Sequence, residues 1–520
     1  MLHGCGDSSS TAANGPAPPP LPSTSVRVSG LSPFAANCAP ANGDTLYVNS
    51  EVEPDLAVSP VDPGLIIGVW QQDRFSGSGA RGILTARSTD GGVTWSLPTP
   101  PPLSHCTGGT AGSTGDYERA SDPWVAFSSD GATVYQAALA FTSGTSSAVV
   151  VSVSSDQGQT WSAPTGVARD APDTPFEDKD SITADPIDPV GAYIVWDRTS
   201  ADTPAMLSRT SDRGTTWSPM QVLYDPGSGN ATIGNVIVGL SGGAALGTLV
   251  DCFTEYPTSP GTAALRVIRS VDQGQTWPVV TVATIAALDS VQTRDPFTGQ
   301  TVRDGSILGS FAADPRSGST TLYAAWEDAR PVISLAHNAI LLSRSTDGGT
   351  TWSTPVRVNA DLTVPAFNPS ITVRGDGEIG LTYYDFRGSL ASGGSPVSVW
   401  LSRSSDGGAS WTETQLDGPF NLAVAPLVQG QRFLGDYEAL TSTGTNFLAF
   451  YVKTTSGSTG PTDVFFDSVN IAFGKAAAQA EVRRYSSELL VAGPPSAALQ
   501  QAVADNLRLA LMHRRPPSHQ

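Results

Sequence analysis

Between residues 50 and 470 the chain alternates short apolar runs with polar breaks rich in Gly, Pro, Ser and Asp. The runs are too short for helices, and many alternate apolar with polar positions, the period of strands. They also come in groups. In the first group residues 53–58, 65–70 and 83–87 each predict a strand, and an eight-residue polar turn, Ser88 to Trp95, follows. Three runs and a turn recur over 122–161, 180–217, 235–277, 304–352 and 369–411. A last group, at 436–441, 447–452 and 463–470, has three runs and no such turn. A period of this kind marks a repeated all-β architecture of seven units. The outer strand missing from the last group is expected from Val26–Val28 at the other end of the chain, which would close the ring and remove its open edges.

The turn itself is the most regular feature. Ser345-Thr346-Asp347-Gly348-Gly349-Thr350-Thr351-Trp352 has equivalents starting at Ser88, Ser154, Thr210, Ser270 and Ser404. Each reads hydroxyl, any, Asp, any, Gly, any, Thr or Ser, Trp. An Asp placed two residues before a Gly can accept bonds from the amides of its own turn, and the Gly can take the left-handed conformation a tight hairpin asks for. The Trp opens the next strand with a large face for packing between layers. Turn chemistry accounts for these Asp residues without a catalytic role.

This pattern resembles the Asp-box, or BNR repeat, of the sialidase (neuraminidase) superfamily, over roughly residues 50–470. The resemblance implies a propeller with each box on an outer hairpin, and an exo-glycosidase of the sialidase type acting on glycoconjugates. With seven units along the chain, what the resemblance implies is a seven-bladed β-propeller, with six blades, the number in the family's catalytic domains, as the alternative. The family's Arg-Ile-Pro stretch on the first blade corresponds here to Val52-Glu53-Pro54, where the Arg is absent. Arg330 and Arg387 resemble the two later arginines of the family's substrate-carboxylate clamp, and Arg74 is the third candidate. Tyr437-Glu438-Ala439-Leu440 resembles the setting of the family's nucleophilic Tyr. Asp122 as acid/base and Glu327 as the partner of the Tyr are chosen by position. The rival reading is a non-catalytic propeller that binds a glycan or a protein on the same face.

Independently of the resemblance, charged residues gather at one end of the predicted sheets, opposite the boxes. Glu51, Glu53, Asp122, Asp178, Asp180, Asp304, Asp436 and Glu438 lead into first strands. Asp73-Arg74, Asp197-Arg198, Asp328 with Arg330, and Asp385 with Arg387 leave second strands. First strands line a propeller's axis, so this rim is the expected site, and paired carboxylates beside Arg and Tyr suit glycoside chemistry. The alternative is that the recurring Asp and Arg bridge neighbouring blades.

Composition narrows the class. The net charge of −19 opposes a nucleic-acid ligand. Neither a metal motif nor a cofactor motif is present, and a monomer is expected. Leu2-His3-Gly4-Cys5 resembles the end of a bacterial lipoprotein signal, with Cys5 as lipid carrier and residues 1–24 as a tether; an ordinary leader is the other reading. Either way the expected location is exported: a cell-surface lipoprotein, or secreted or periplasmic. Cys38 and Cys106 flank the first group and could pair, while Cys252 in an apolar strand reads as a buried thiol. The domain plan is a leader (1–24), a propeller (25–473) and a helical tail (474–520). In that tail 475–492 has helical composition, and a second helix capped by Ser496 carries Leu499, Val503, Leu507 and Leu511 on one face.

Overall fold

A computed structural model of the chain describes residues 25–142, 146–169, 175–199, 203–240, 246–258, 262–332, 336–391, 393–455, 461–470, 482–486 and 497–512. Regular structure is almost entirely antiparallel strand, laid out in up-and-down units that follow chain order. The first unit is Leu46–Val58, Ile66–Phe75 and Ala80–Ser88; the second is Arg119–Phe127, Val134–Thr142, Ser146–Ser154 and Thr165–Arg169. A single pairing, Ala80 with Ala120, joins these two into one sheet. The third is Phe176–Ala184, Ala192–Thr199, Ala205–Thr210 and Gln221–Tyr224; the fourth is Asn230–Gly239, Leu249–Pro257, Ala263–Ser270 and Ala283–Leu288. The fifth is Ser310–Ala313, Leu322–Asp328, Ala339–Ser345 and Val356–Arg357; the sixth is Ala366–Val373, Ile379–Asp385, Pro396–Ser404 and Ser410–Asn421. In the seventh, Ala439–Thr443, Asn446–Lys453 and Asp463–Asn470 are joined by Val26–Arg27, which pairs with Phe466 and Phe465.

The first strand of each unit lies against the first strands of the units before and after it, and that of the seventh lies against that of the first. Second strands are enclosed between neighbouring units. Ile66–Phe75 is buried at every position, its apolar part Ile66–Trp70 and its polar part Gln71–Arg74 alike. The fourth strand expected from Trp95 is reduced to one bridge, Arg87 with Ser96.

The repeated turns form one structure six times. In the first, the Ser88 hydroxyl donates to Asp90 Oδ1 at 2.8 Å and accepts the Gly92 amide at 2.9 Å. Asp90 Oδ1 accepts the Thr94 amide at 2.9 Å, and Oδ2 accepts the Thr94 hydroxyl at 2.5 Å. The same bonds recur around Asp156, Asp212, Asp272, Asp347 and Asp406. Partial burial raises the Asp156 and Asp272 carboxyls, but the Thr hydroxyls and backbone amides outweigh it and hold both down at about 2. Gly92 has φ +89°, and a methyl added there would overlap the Phe466 ring of the seventh unit. Gly158 meets Ile67, Gly214 meets Val153 and Gly274 meets Tyr193, each in the preceding unit. The box glycine is thus a seam between units as well as a turn residue.

The tail departs from its expected form. Within the stretch expected as the first tail helix, Val482–Ser486 is a strand that extends the sixth unit by pairing with Ser410–Thr414. Outer-strand edges recruit extended chain through unsatisfied backbone groups, and that outweighs weak helical propensity. The second helix forms as Ala497–Met512 and buries Leu499 and Val503 against Val291 and Ala329, with Leu507 in the core of the fourth and fifth units. Ser496, the leader and Cys5 lie outside the described residues. No helix among the described residues is long and apolar enough to cross a membrane. Cys38 and Cys106 form a disulfide, and Cys252 is a buried free thiol.

Candidate functional site

The first strands carry a second repeated feature, one the sequence did not announce. In the first, second, fourth and sixth units the ladder is interrupted near its middle, with register breaks at Val52/Asp55, Ser121/Trp124, Ile233/Val236 and Phe367/Ser370. The residue in the break has positive φ: Glu53 +51°, Asp122 +48°, Gly234 +68° and Asn368 +50°, with Lys179 at +49° in the third unit. Pro54, Pro123 and Pro369 follow three of these, and a proline cannot donate to the ladder, so the break falls where pairing is already lost. A left-handed conformation costs an L-residue about 1–2 kcal/mol. Four residues bearing polar or charged side chains hold it here, and such strain persists where the surroundings impose it.

These breaks turn side chains toward the common axis. Lys179 Nζ lies 2.7 Å from Asp122 Oδ1, 2.9 Å from Asp436 Oδ2 and 3.5 Å from Glu53 Oε1. Four units therefore meet at one ammonium. Arg303 grips Asp436 with two bonds, Nε to Oδ1 at 3.0 Å and Nη2 to Oδ2 at 2.7 Å. Arg303 comes from Val302–Arg303, which pairs in parallel with Gln431–Phe433; these two insertions on the rim form their own small sheet with Leu427–Val428. Arg74 and Arg303 both stack on the Phe433 ring, 5.2 and 4.8 Å from its centre. Burial, then the charge of Arg303, pulls Arg74 down to about 10. Gln71 ties Glu53 to Ser121 in the second unit.

Burial dominates the protonation of this group. It pushes Glu53 up to about 7, against the pull of Lys179 and with the help of Asp122 and Asp436. It raises Asp55 and Asp304 to about 6. It also drives the Tyr437 phenol well above its ordinary value, with Glu53 and Asp122 adding to the rise. A cavity of about 200 Å³ opens at this ring, bordered by Lys179, Asp436, Asn368, Trp124 and Tyr437. Tyr437 is half-buried; its ring centre is 5.5 Å from that of Trp124 and 5.6 Å from Lys179 Nζ, and its hydroxyl donates to Pro123 O at 3.3 Å.

Of the residues proposed from sequence, the structure brings together Asp122, Tyr437 and Arg74. Glu327 stands behind them: it accepts the Asn368 amide at 3.0 Å and the Asn338 side chain at 2.9 Å, fixing the break in the sixth unit. Arg330 and Arg387 are not brought to the axis group. Arg330 is held by Asp328 and by Asp289 at the edge of the fourth unit. Arg387 is held by Asp385 and Glu413 and lies 3.6 Å over Trp400. The bridging alternative describes some of the recurring acids: Asp197 accepts the Gly234 amide of the next unit, as Glu327 accepts that of Asn368. Lys179, Asp436 and Arg303 complete the ring. Aligning the units on their boxes would have singled out Lys179, the lysine standing where Glu53 and Asp122 stand. No comparable signal marks Arg303.

No family model matches the chain, and no curated protein matches it. Solved structures similar to it include an α-L-arabinanase from Penicillium chrysogenum complexed with arabinobiose, at 13% identity and TM-score 0.42, covering 87% of this chain and 99% of that one. An α-L-arabinofuranosidase from Fusarium graminearum with an iminosugar inhibitor gives 12% identity and TM-score 0.43, covering 86% and 98%. The intramolecular trans-sialidase from Ruminococcus gnavus with oseltamivir carboxylate gives 16% identity and TM-score 0.42, covering 84% and 97%. Likeness at this level carries no activity over to this chain.

Proposed function

We propose that the chain is a seven-bladed propeller that binds a carbohydrate on the rim opposite its boxes and hydrolyses a glycosidic bond there. The observation that carries this reading is the meeting of Glu53 and Asp122, from neighbouring units, on one buried ammonium, with Glu53 pushed up to about 7. Glycoside hydrolysis asks for a carboxyl that keeps its proton near neutral pH to give to the leaving oxygen, and for a second carboxylate close by. Burial supplies the first at Glu53, and Lys179 fixes the second at Asp122. Trp124 and Tyr437 offer aromatic faces at the cavity, a usual support for a sugar ring.

In a finer, sialidase-type form of this proposal, Tyr437 is the nucleophile with Glu327 as its partner, Asp122 is the acid/base, and Arg74, Arg330 and Arg387 hold a substrate carboxylate. The place of Tyr437 beside Lys179 and the carboxylates supports it. The raised phenol and the full pairing of Arg330 and Arg387 with acids weigh toward a glycosidase without an arginine clamp. A binding-only propeller is favoured by one observation, that Lys179 already engages all three carboxylates. The disulfide supports an exported location.

Turnover of a panel of fluorogenic glycosides, including a sialoside, an arabinofuranoside and a hexosaminide, tests the reading. One substrate is expected to be cleaved, with Glu53→Gln and Asp122→Asn each lowering kcat by about 100-fold or more. Binding of glycans without turnover of any panel member would select the binding-only form. Cleavage of the sialoside alone, lost in Tyr437→Phe, would select the sialidase form.

A further inference from the structure

The tail reaches the axial ring by two routes. The first is polar. Directly after Arg303 and Asp304, the Leu308 amide bonds to Gly305 O at 2.7 Å and closes a turn, and Gly305 and Leu308 border the cavity. A methyl placed at Gly305 would overlap the Asp436 carbonyl oxygen, so the turn rests on the backbone of the residue that Arg303 and Lys179 share. The tail holds this turn from outside. Asn506 lies on the face of Ala497–Met512 that also carries Leu499, Val503 and Leu507, and it is only 3% exposed. Its side-chain amide donates to Ser306 Oγ at 3.2 Å and to Ser290 O and Oγ, both at 3.3 Å. A buried amide on an apolar face loses its water, and these acceptors replace it.

The second route begins in packing. Leu499 and Val503 lie against Val291, whose amide and carbonyl are both taken by the Asn338 side chain, at 2.8 and 2.7 Å. Asn338 also donates to Glu327, and Glu327 accepts the Asn368 amide. Asn368 then joins the two routes. Its Oδ1 accepts the Gly305 amide at 2.8 Å, and its Nδ2 donates to Gly435 O at 2.7 Å, one residue ahead of Asp436. Coupling between separated parts of a protein is carried by contiguous contacts of this kind.

We propose that the C-terminal helix is a working part of the axial site, and that Asn506 is a positioning residue: through Ser306, the 305–308 turn and Asn368 it sets Asp436, and through Asp436 it sets Lys179. The inference concerns the ring itself and holds whether or not a bond is cleaved there.

Amide hydrogen exchange on the full chain tests it. Asn506→Leu keeps the branched shape and removes the donors. Peptides covering 302–309 and 434–438 are expected to exchange at least about tenfold faster, while 88–95 in the first box stays unchanged. A rise confined to 497–512, or one of equal size at 88–95, would overturn the proposal. Ser306→Ala removes the acceptor on the turn and is expected to give the same pattern; it decides the matter should Asn506→Leu fail to fold. Denaturant unfolding supplies a second readout. The effect of Asn506→Leu combined with Asp436→Asn on the unfolding constant is expected to fall short of the product of the single effects by about threefold or more. Asn506→Leu combined with Asp90→Asn is expected to give the plain product. A plain product in the first pair, or an equal shortfall in the second, would overturn the proposal. Neither measurement calls on turnover, so a chain that cleaves no glycoside loses the hydrolytic reading alone.

Discussion

The two faces of this ring use the same residue, aspartate, in opposite ways. On the box face each carboxylate lies within four residues of its donors and is held below its ordinary pKa by hydroxyls and amides. On the axial face the carboxylates come from different units and sit buried, and Glu53, Asp55 and Asp304 are pushed upward. A box is a local solution that a short peptide encodes. The axial ring exists only when the first, second, third and seventh units have met at Lys179.

Breaking the axial side should have the largest effect. Lys179→Met leaves Glu53, Asp122 and Asp436 without their shared ammonium, and removing one partner of a buried ionic group costs about 3–5 kcal/mol. Denaturant unfolding should register a loss of that size, and a loss under 1 kcal/mol would mean water reaches the ring. Gly92→Ala comes next. It imposes a side chain at φ +89° and drives it into Phe466, for about 2–3 kcal/mol from strain and overpacking together. A near-neutral result in the same measurement would show that the seam between the seventh and first units can open.

The smallest effect sharpens the contrast through pH. Glu53 has a folded pKa of about 7, above the ordinary 4.5, so the folded state binds more protons than the unfolded state between those values. Its contribution is therefore fully present below about pH 4.5 and is lost as pH rises toward 7. The box aspartates, lowered in the folded state, act in the other direction: their contribution is present above 3.8 and is lost as pH falls. Melting temperature should thus decline from pH 4.5 to 7 and also fall below pH 3.8. Glu53→Gln should flatten the upper slope and leave the lower one unchanged. An unaltered upper slope would assign it to Asp55 or Asp304.

The same contrast explains what could be read from the chain alone. The boxes were legible because their hydrogen bonds run between residues two to four apart, and the closing role of Val26–Arg27 was legible because a unit lacked a strand. The axial group was legible only in part. Asp122 and Arg74 lie in strands and Tyr437 just ahead of one, at ends that the repeat turns toward the axis. Arg330 and Arg387 share that kind of position, but each stands two residues after an Asp. The short spacing closes a local ion pair, Asp328 with Arg330 and Asp385 with Arg387, before either Arg can reach inward. Arg303 and Phe433 were hidden for another reason. They arrive on a parallel strand pair built from two insertions more than a hundred residues apart, and neither insertion has a period to betray it.

The pairing of Val26–Arg27 with Phe465–Phe466 also bears on how the molecule is made. Synthesis delivers one half of that clasp before the first unit and the other after the sixth, so a ribosome that has passed the sixth unit still carries an open arc. Its first and last sheets both present unsatisfied edges, the condition in which nascent chains exchange segments or clump. Export in an unfolded state, with closure postponed until the whole chain is on the far side, would spare the cell that hazard.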